Sequence, residues 1–357
     1  MLSLDRLDAR RIAFIKPSAL GDIIHALPVL TALRIRFPAA RITWVVNSSF
    51  EPLIRNHPDL TDTLPFDRGA FRKSPWHSVR YALAFARELR QRQFDLVIDL
   101  QGLFRSGLMC LATGSTRLVG FTSAREGSRY FYTDKIHTPN PKKMHAVERN
   151  WKLAEALGVG DLPKRFHVPV DPGEVKAIEM ELAELPRPWL AVAVGAKWVT
   201  KRWLPGHFAE LLKRGQSRFG GTCLFIGTRE DTPSSQEVMS GLAGPSRDLT
   251  GTTSLPRLAV LLSRCDVMIG NDTGPLHLAA ALGLPCVAPY TCTKVALHGP
   301  YTSKRRVVET QVHCAGSYRK TCPDMICMSE LTPDRLWPQL METLDAWQHR
   351  QLPSHSA

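Results

Sequence analysis

Apolar residues along this chain recur with two periods. Short runs at residues 11–16, 42–46, 63–66, 96–100, 190–194, 222–226, 267–269 and 285–288 read as buried strands. Between them are longer stretches in which apolar positions return every three to four residues, as at Ile23, Leu27, Leu30 and Leu33. These predict helices at 23–37, 49–56, 77–92, 104–112, 145–158, 206–218, 233–242, 255–263, 275–282 and 333–349. Strands alternating with helices predict an α/β fold, with parallel sheets covered on both faces. Residues 113–144 read as basic turns, with Arg117, Arg125, Arg129, Lys135, Lys142 and Lys143.

The alternation pauses at 158–188, where Pro163, Pro169, Pro172, Pro186 and Pro188 indicate a linker holding one short charged helix. The expected organisation is a first domain at 1–160, a linker at 161–188, a second domain at 189–332, and a closing helix and tail at 333–357. A chain of 357 residues suits two cores better than one. Two such halves predict a ligand cleft at the carboxyl ends of their strands.

The stretch from Arg264 to Tyr290 is the pivot of this reading. Its strand at 267–269 runs into a tight turn at 270–274, then into a helix that Gly283 ends. Pro275 suits the first helical turn because its missing N–H has no partner there, and Asp272 or Thr273 can cap the free donors. Backbone N–H groups at the positive end of a helix form a phosphate site. The plain alternative is a well-made helix start. His277, one turn in, either faces the same opening or serves as a packing partner.

Two other loops carry candidate chemistry. In Lys16–Asp22, Asp22 is either a helix cap or a carboxylate aimed into the cleft. In Gly195–Trp203, the cations Lys197, Lys201 and Arg202 suit a diphosphate, or form a solvated basic loop. Glu230 and Asp231 are placed to bind ribose hydroxyls or to cap the following helix.

Charge adds a partner class. Residues 1–150 hold 23 lysines and arginines against 13 acids, so +10 of the net +13 lies in the first part of the chain. That surface suggests a polyanion. No nucleic-acid motif accompanies it, which leaves an anionic membrane face or a phosphorylated glycan. No apolar run approaches the roughly 20 residues of a spanning helix. The polar first ten residues do not read as a signal peptide, so a cytoplasmic location is expected. Cys110, Cys223, Cys265, Cys286 and Cys292 sit singly in or beside apolar runs as reduced core residues. Cys314, Cys322 and Cys327 with His313 offer zinc ligands at an unusual spacing, or free thiols.

Four segments together resemble a known family: Lys16-Pro-Ser-Ala-Leu-Gly-Asp-Ile-Ile-His-Ala-Leu-Pro, Val97-Ile-Asp-Leu-Gln-Gly-Leu, Thr200-Lys-Arg-Trp and Asn271-Asp-Thr-Gly-Pro-Leu-His-Leu-Ala-Ala-Ala. They are similar to the ADP-heptose:lipopolysaccharide heptosyltransferases, glycosyltransferase family 9, over residues 11 to 345. Ser123-Ala-Arg-Glu-Gly-Ser, Tyr132 and His145-Ala-Val-Glu-Arg-Asn are most like the heptosyltransferase I branch.

The resemblance implies a GT-B fold, two Rossmann-like domains facing a central cleft. It implies inverting transfer of heptose from ADP-heptose to the Kdo of Kdo-lipid A, with Asp22 as general base and Lys201 neutralising the departing diphosphate. Lys197, Thr200, Arg202, Glu230, Asp231, Asp272, Thr273, Gly274, Pro275 and His277 would bind the donor. Ser18, Gly21, Arg68, Arg72, Lys73, Gln101, Arg105, Arg125 and Arg149 would meet the anionic acceptor. No metal or other cofactor and no nucleic acid are expected. The implied location is peripheral, at the cytoplasmic face of the inner membrane. A different donor or acceptor, or an idle nucleotide-sugar or anionic-lipid binder, are the alternatives.

Overall fold

A computed structural model describes residues 3–72 and 74–351. The chain forms two compact units that divide between Pro169 and Val170.

The first unit holds β1 (Arg11–Ile15), β2 (Arg41–Asn47), β3 (Asp62–Phe66), β4 (Leu96–Asp99), β5 (Leu118–Phe121) and β6 (Asp134–Ile136). They pair in parallel in the order β3-β2-β1-β4-β5-β6. Its helices are α1 (Leu20–Ile24), α2 (Leu27–Arg36), α3 (Glu51–Ile54), α4 (Pro75–Gln91), α5 (Phe104–Thr113) and α6 (Ala146–Ala156). The central strands are apolar without alternation because both faces are covered; β4 is buried at all four residues.

The second unit begins with α7 (Pro172–Leu182) and holds β7 (Trp189–Ala193), β8 (Thr222–Phe225), β9 (Ser246–Asp248), β10 (Val267–Gly270), β11 (Cys286–Tyr290) and β12 (Arg305–Glu309). Its helices are α8 (Pro205–Phe219), α9 (Thr232–Ser240), α10 (Leu255–Arg264), α11 (Gly274–Ala281), α12 (Val295–His298), α13 (Ile326–Glu330) and α14 (Pro333–Gln351). The parallel order is β12-β11-β10-β7-β8-β9. Counted from its own first strand, each sheet has the doubly wound order 3-2-1-4-5-6.

Several expectations need correction. The helix expected at 23–37 is two helices, because Pro28 lacks an N–H and its ring would clash with the carbonyl a turn earlier. The basic turns expected at 113–144 contain β5 and β6. Gly120 in β5 reads as a turn signal, yet a Cβ there would overlap the Tyr132 ring, so that glycine is a packing requirement. β6, β9 and β12 are edge strands with partly exposed, polar sequences, which hides any alternation.

The stretch expected as a linker at 161–188 contains α7, which buries Ile178 and Leu182 and packs against α10 within the second unit. The closing helix at 333 likewise belongs to that core. Leu336, Leu340 and Leu344 of α14 join Phe208, Leu211 and Leu212 of α8 in one cluster.

Candidate functional site

In the second unit the residues after β10 form a hub. The Asn271 amide donates to the Val194 carbonyl (2.7 Å) and accepts from the Trp203 N–H (3.1 Å), tying the loops after β7 and β10 together. Asp272 is buried. Its Oδ2 accepts from Lys201 Nζ (2.5 Å) and the Thr293 hydroxyl (2.6 Å), and its Oδ1 accepts from the Tyr290 hydroxyl (3.1 Å). His277 Nε2 lies 3.3 Å from the same Oδ1. Burial pushes the Asp272 carboxyl up, but the His277 contact and the Lys201 charge outweigh it and hold the group well below the usual carboxylate range.

Neither Asp272 nor Thr273 caps α11, contrary to expectation. The Asp272 carboxylate is turned inward by its donors, and the Thr273 hydroxyl donates to the Asn271 carbonyl (3.2 Å). The first turn of α11 therefore presents backbone N–H groups with no side-chain cap, beside Gly274 and Pro275.

Lys201 ends a 3₁₀ turn at Val199–Lys201, with Nζ 4.9 Å from the centroid of the Trp198 ring; Lys320 Nζ is 5.7 Å from the same ring. Thr200 is buried and presents no free group, since its hydroxyl donates to the Arg319 carbonyl (2.6 Å) and its own carbonyl accepts from Thr291 (2.5 Å). Lys197 and Glu230 are exposed, and so is Arg202, whose Nε donates to the Ala196 carbonyl (2.7 Å). The Asp231 carboxylate does not cap the following helix α9 but turns back on the preceding 3₁₀ turn, accepting the Thr228 N–H (2.8 Å) and hydroxyl (2.9 Å). Gly195 makes room for that carboxylate, which a Cβ would overlap.

In the first unit the matching loop follows β1. Lys16 is buried, donates to the Leu100 carbonyl (3.0 Å) and lies 3.9 Å from Asp22 Oδ1. Burial pushes the Lys16 ammonium below the ordinary lysine value, against the attraction of Asp22. Asp22 is the third residue of α1, and its Oδ2 accepts the Ala19 N–H (3.2 Å), so the capping role is real. Its side chain is nonetheless 43% exposed, so the carboxylate is reachable from solvent.

Asp99, wholly buried at the end of β4, organises the neighbouring loop. It accepts from the Ser106 and Tyr132 hydroxyls (both 2.7 Å) and from the N–H groups of Gln101 (2.8 Å) and Gly102 (3.0 Å). Burial pushes its carboxyl up despite these donors. Gln101 in turn accepts the Ser18 N–H (3.3 Å), and the Gly102 carbonyl accepts the Arg125 N–H (2.8 Å). Arg149 on α6 is within electrostatic reach of Asp22 and Arg125. Ser18, Gly21, Asp22, Gln101, Arg125 and Arg149 are thus gathered. Arg68, Arg72 and Arg105 are exposed, and among the described residues no hydrogen bond or ion pair ties them to this loop. Lys73 lies outside the described residues. Among those residues no group of three His, Cys, Asp or Glu side chains is arranged to hold a metal ion, Cys314, Cys322 and Cys327 included.

Residues 82–326 match the model of glycosyltransferase family 9 (heptosyltransferase). The chain belongs to glycosyltransferase family 9. This family 9 enzyme is 29% identical over 355 residues to lipopolysaccharide heptosyltransferase 1 of Pseudomonas aeruginosa, across 92% of this chain and 97% of that protein. It is 27% identical over 319 residues to lipopolysaccharide heptosyltransferase 2 of Escherichia coli, across 84% and 87%.

Two solved structures share its fold over nearly the whole chain. Family 9 glycosyl transferase from Veillonella parvula superposes with a TM-score of 0.81 at 23% identity, covering 96% of this chain and 99% of that one. The E. coli ADP-heptose LPS heptosyltransferase II gives 0.75 at 25%, covering 95% and 99%. The fold is GT-B, and the protein is a glycosyltransferase of the heptosyltransferase type. No helix among the described residues is long and apolar enough to cross a membrane.

Sequence reasoning missed the partners that set this family 9 site: Tyr290 and Thr293 on Asp272, Lys320 beside Trp198, and the Asp99–Ser106–Tyr132 cluster. Only Asp99 carried a local signal, a carboxylate closing an otherwise apolar strand.

Proposed function

We propose that this family 9 enzyme is an inverting heptosyltransferase that moves heptose from ADP-heptose to the Kdo of the lipopolysaccharide inner core. The observation that carries the reading is the Lys201–Asp272–His277 hub at the uncapped start of α11. There a fixed ammonium and backbone N–H groups supply positive charge for a departing diphosphate. Lys320 adds a second cation beside Trp198. This charge work is assigned to the protein's own groups, so turnover is expected to persist in the presence of EDTA.

Asp22 is the general base in this reading. Its Oδ1, the oxygen not engaged with Ala19, takes the proton of the acceptor hydroxyl as that oxygen bonds to the anomeric carbon. The bond from that carbon to the β-phosphate oxygen breaks with inversion, and ADP leaves. Ser18, Gln101, Arg125 and Arg149, gathered around the same loop, meet the anionic Kdo. An anionic, lipid-borne acceptor also gives the basic first unit a partner at the cytoplasmic face of the inner membrane.

The test is ADP release from ADP-heptose with and without Kdo-lipid A, for the wild type and Asp22→Ala. Release that needs the acceptor and is lost in the variant is the expected result. Release only with an acceptor already carrying one heptose would move the assignment to the second transfer, which the similarity to heptosyltransferase 2 keeps as the second reading.

A further inference from the structure

Helix α4 is apolar on two opposite faces. Tyr81, Phe85 and Leu89, spaced by four, pack into the core of the first unit. Trp76, Val79 and Leu83 fall on the other side of the helix and are exposed by 70%, 50% and 66%. Helix α5 repeats the pattern: Met109 and Cys110 enter the same core, whereas Phe104, Leu108 and Leu111 are each nearly half exposed. The two helices touch each other and cover one core, so their outer faces make a continuous surface. Ordinary solvated helices carry polar residues there, and six exposed apolar side chains on two touching helices indicate something that covers them.

The charges around the patch say what. Arg80, Arg87 and Arg90 share the outer side of α4 with the apolar stripe. The only acid of α4, Glu88, is turned to Arg92 (3.0 Å), and α5 has none. Beyond the helices, Glu126 accepts the Phe104 N–H (3.2 Å), and Asp62 is paired with Arg92 (2.7 Å). A second copy of this chain seated on the face would set arginine against arginine with no acid to pair. Phospholipid phosphates beside an apolar layer complement it instead.

We propose that the outer faces of α4 and α5 seat this protein on an anionic phospholipid bilayer, Trp76, Leu83 and Leu108 entering the interface and the arginines meeting lipid phosphates. The proposal rests on the reading above, in which the acceptor is held in a membrane, and supplies the surface that reading lacks.

The test is co-sedimentation of the full chain with vesicles of phosphatidylcholine plus phosphatidylglycerol, and with vesicles of phosphatidylcholine alone. The wild type should bind the anionic vesicles preferentially. Leu83→Glu with Leu108→Glu should weaken binding by about tenfold or more, because two apolar side chains leave the interface. Arg80→Gln with Arg87→Gln should lose the anionic preference, roughly fivefold for each charge removed.

These positions are exposed, so melting temperatures should stay at the wild-type value. ADP release with a delipidated Kdo acceptor free in water should also be unchanged. Wild-type vesicle binding retained by the leucine variant overturns the proposal. So does a wild-type dimer that the leucine variant converts to a monomer without loss of vesicle binding. Failure of the wild type to release ADP with the water-borne acceptor, while vesicle binding is still lost in the variant, would instead strike only the acceptor assignment.

Discussion

Each unit of this protein places a lysine beside an aspartate at the carboxyl end of its sheet, and the two pairs are built in opposite ways. In the first, the lysine is buried and the aspartate reachable: Lys16 and Asp22 stand 3.9 Å apart, and the Asp22 side chain is 43% exposed. In the second, the aspartate is the deeper member: Lys201 and Asp272 are 2.5 Å apart, and the Asp272 side chain is 5% exposed. A carboxylate held by a lysine, two hydroxyls and a histidine, and kept far below its usual range, has no proton affinity to offer a substrate. It positions Lys201. Asp22, with one oxygen spent on a cap and its side chain 43% exposed, can be reached by an acceptor hydroxyl. In the proposed mechanism the same residue pair serves proton transfer in one unit and charge placement in the other, and burial is what divides the roles.

The same substitution at both aspartates tests this division. Asp22→Asn keeps an acceptor for the Ala19 N–H, so melting should scarcely change, while turnover falls by about 10²–10⁴ with ADP affinity intact. A variant that keeps its rate would remove Asp22 as the base. Asp272→Asn should do the reverse: breaking a buried charged pair costs roughly 3–5 kcal/mol, read as a lower midpoint in denaturant, and ADP affinity falls with it. Unchanged stability there would mean the four partners do not act as a unit.

A third pair sharpens the comparison. His57 Nδ1 also lies 3.9 Å from an aspartate, Asp59, yet here burial wins and lowers the ring from 6.5 to about 4. The neutral ring is satisfied on both sides, accepting the Asp59 N–H (3.1 Å) and facing the His167 carbonyl (3.0 Å). The folded state refuses a proton that the unfolded chain takes near pH 6.5. Stability is therefore full above that pH and is lost as pH falls from 6.5 toward 4, by roughly 3 kcal/mol. A melting curve flat across that window, or one whose slope survives His57→Gln, would contradict it. The smallest effect is expected at Tyr132→Phe, where Asp99 loses one of four donors: about 1–2 kcal/mol of stability, with a weaker apparent acceptor affinity through the Gly102–Arg125 link.

How much of this was legible in the chain differs by element. The central strands were, because burial on both faces leaves continuous apolar runs, and so was α11, whose Gly274-Pro275 start and Gly283 stop are local chemistry. The edge strands β6, β9 and β12 were not, since half-exposed polar strands carry no period. Asp22 and Lys201 could be named as candidates from their loops. The hub that holds Lys201 could not, because Tyr290 and Thr293 reach Asp272 from the end of β11 and the loop beyond it.

By itself the sequence determined the alternation of elements, the two α/β halves, the basic first part and the short motifs that place the chain in its family. Each of these depends on neighbours within a few residues along the chain, where propensity, capping and periodicity act. Only the tertiary structure decided which aspartate is buried, which of two apolar faces of α4 meets the core, and which candidate side chains are already spent on the protein's own backbone. Those outcomes depend on desolvation and on partners far apart in sequence, which no local pattern records.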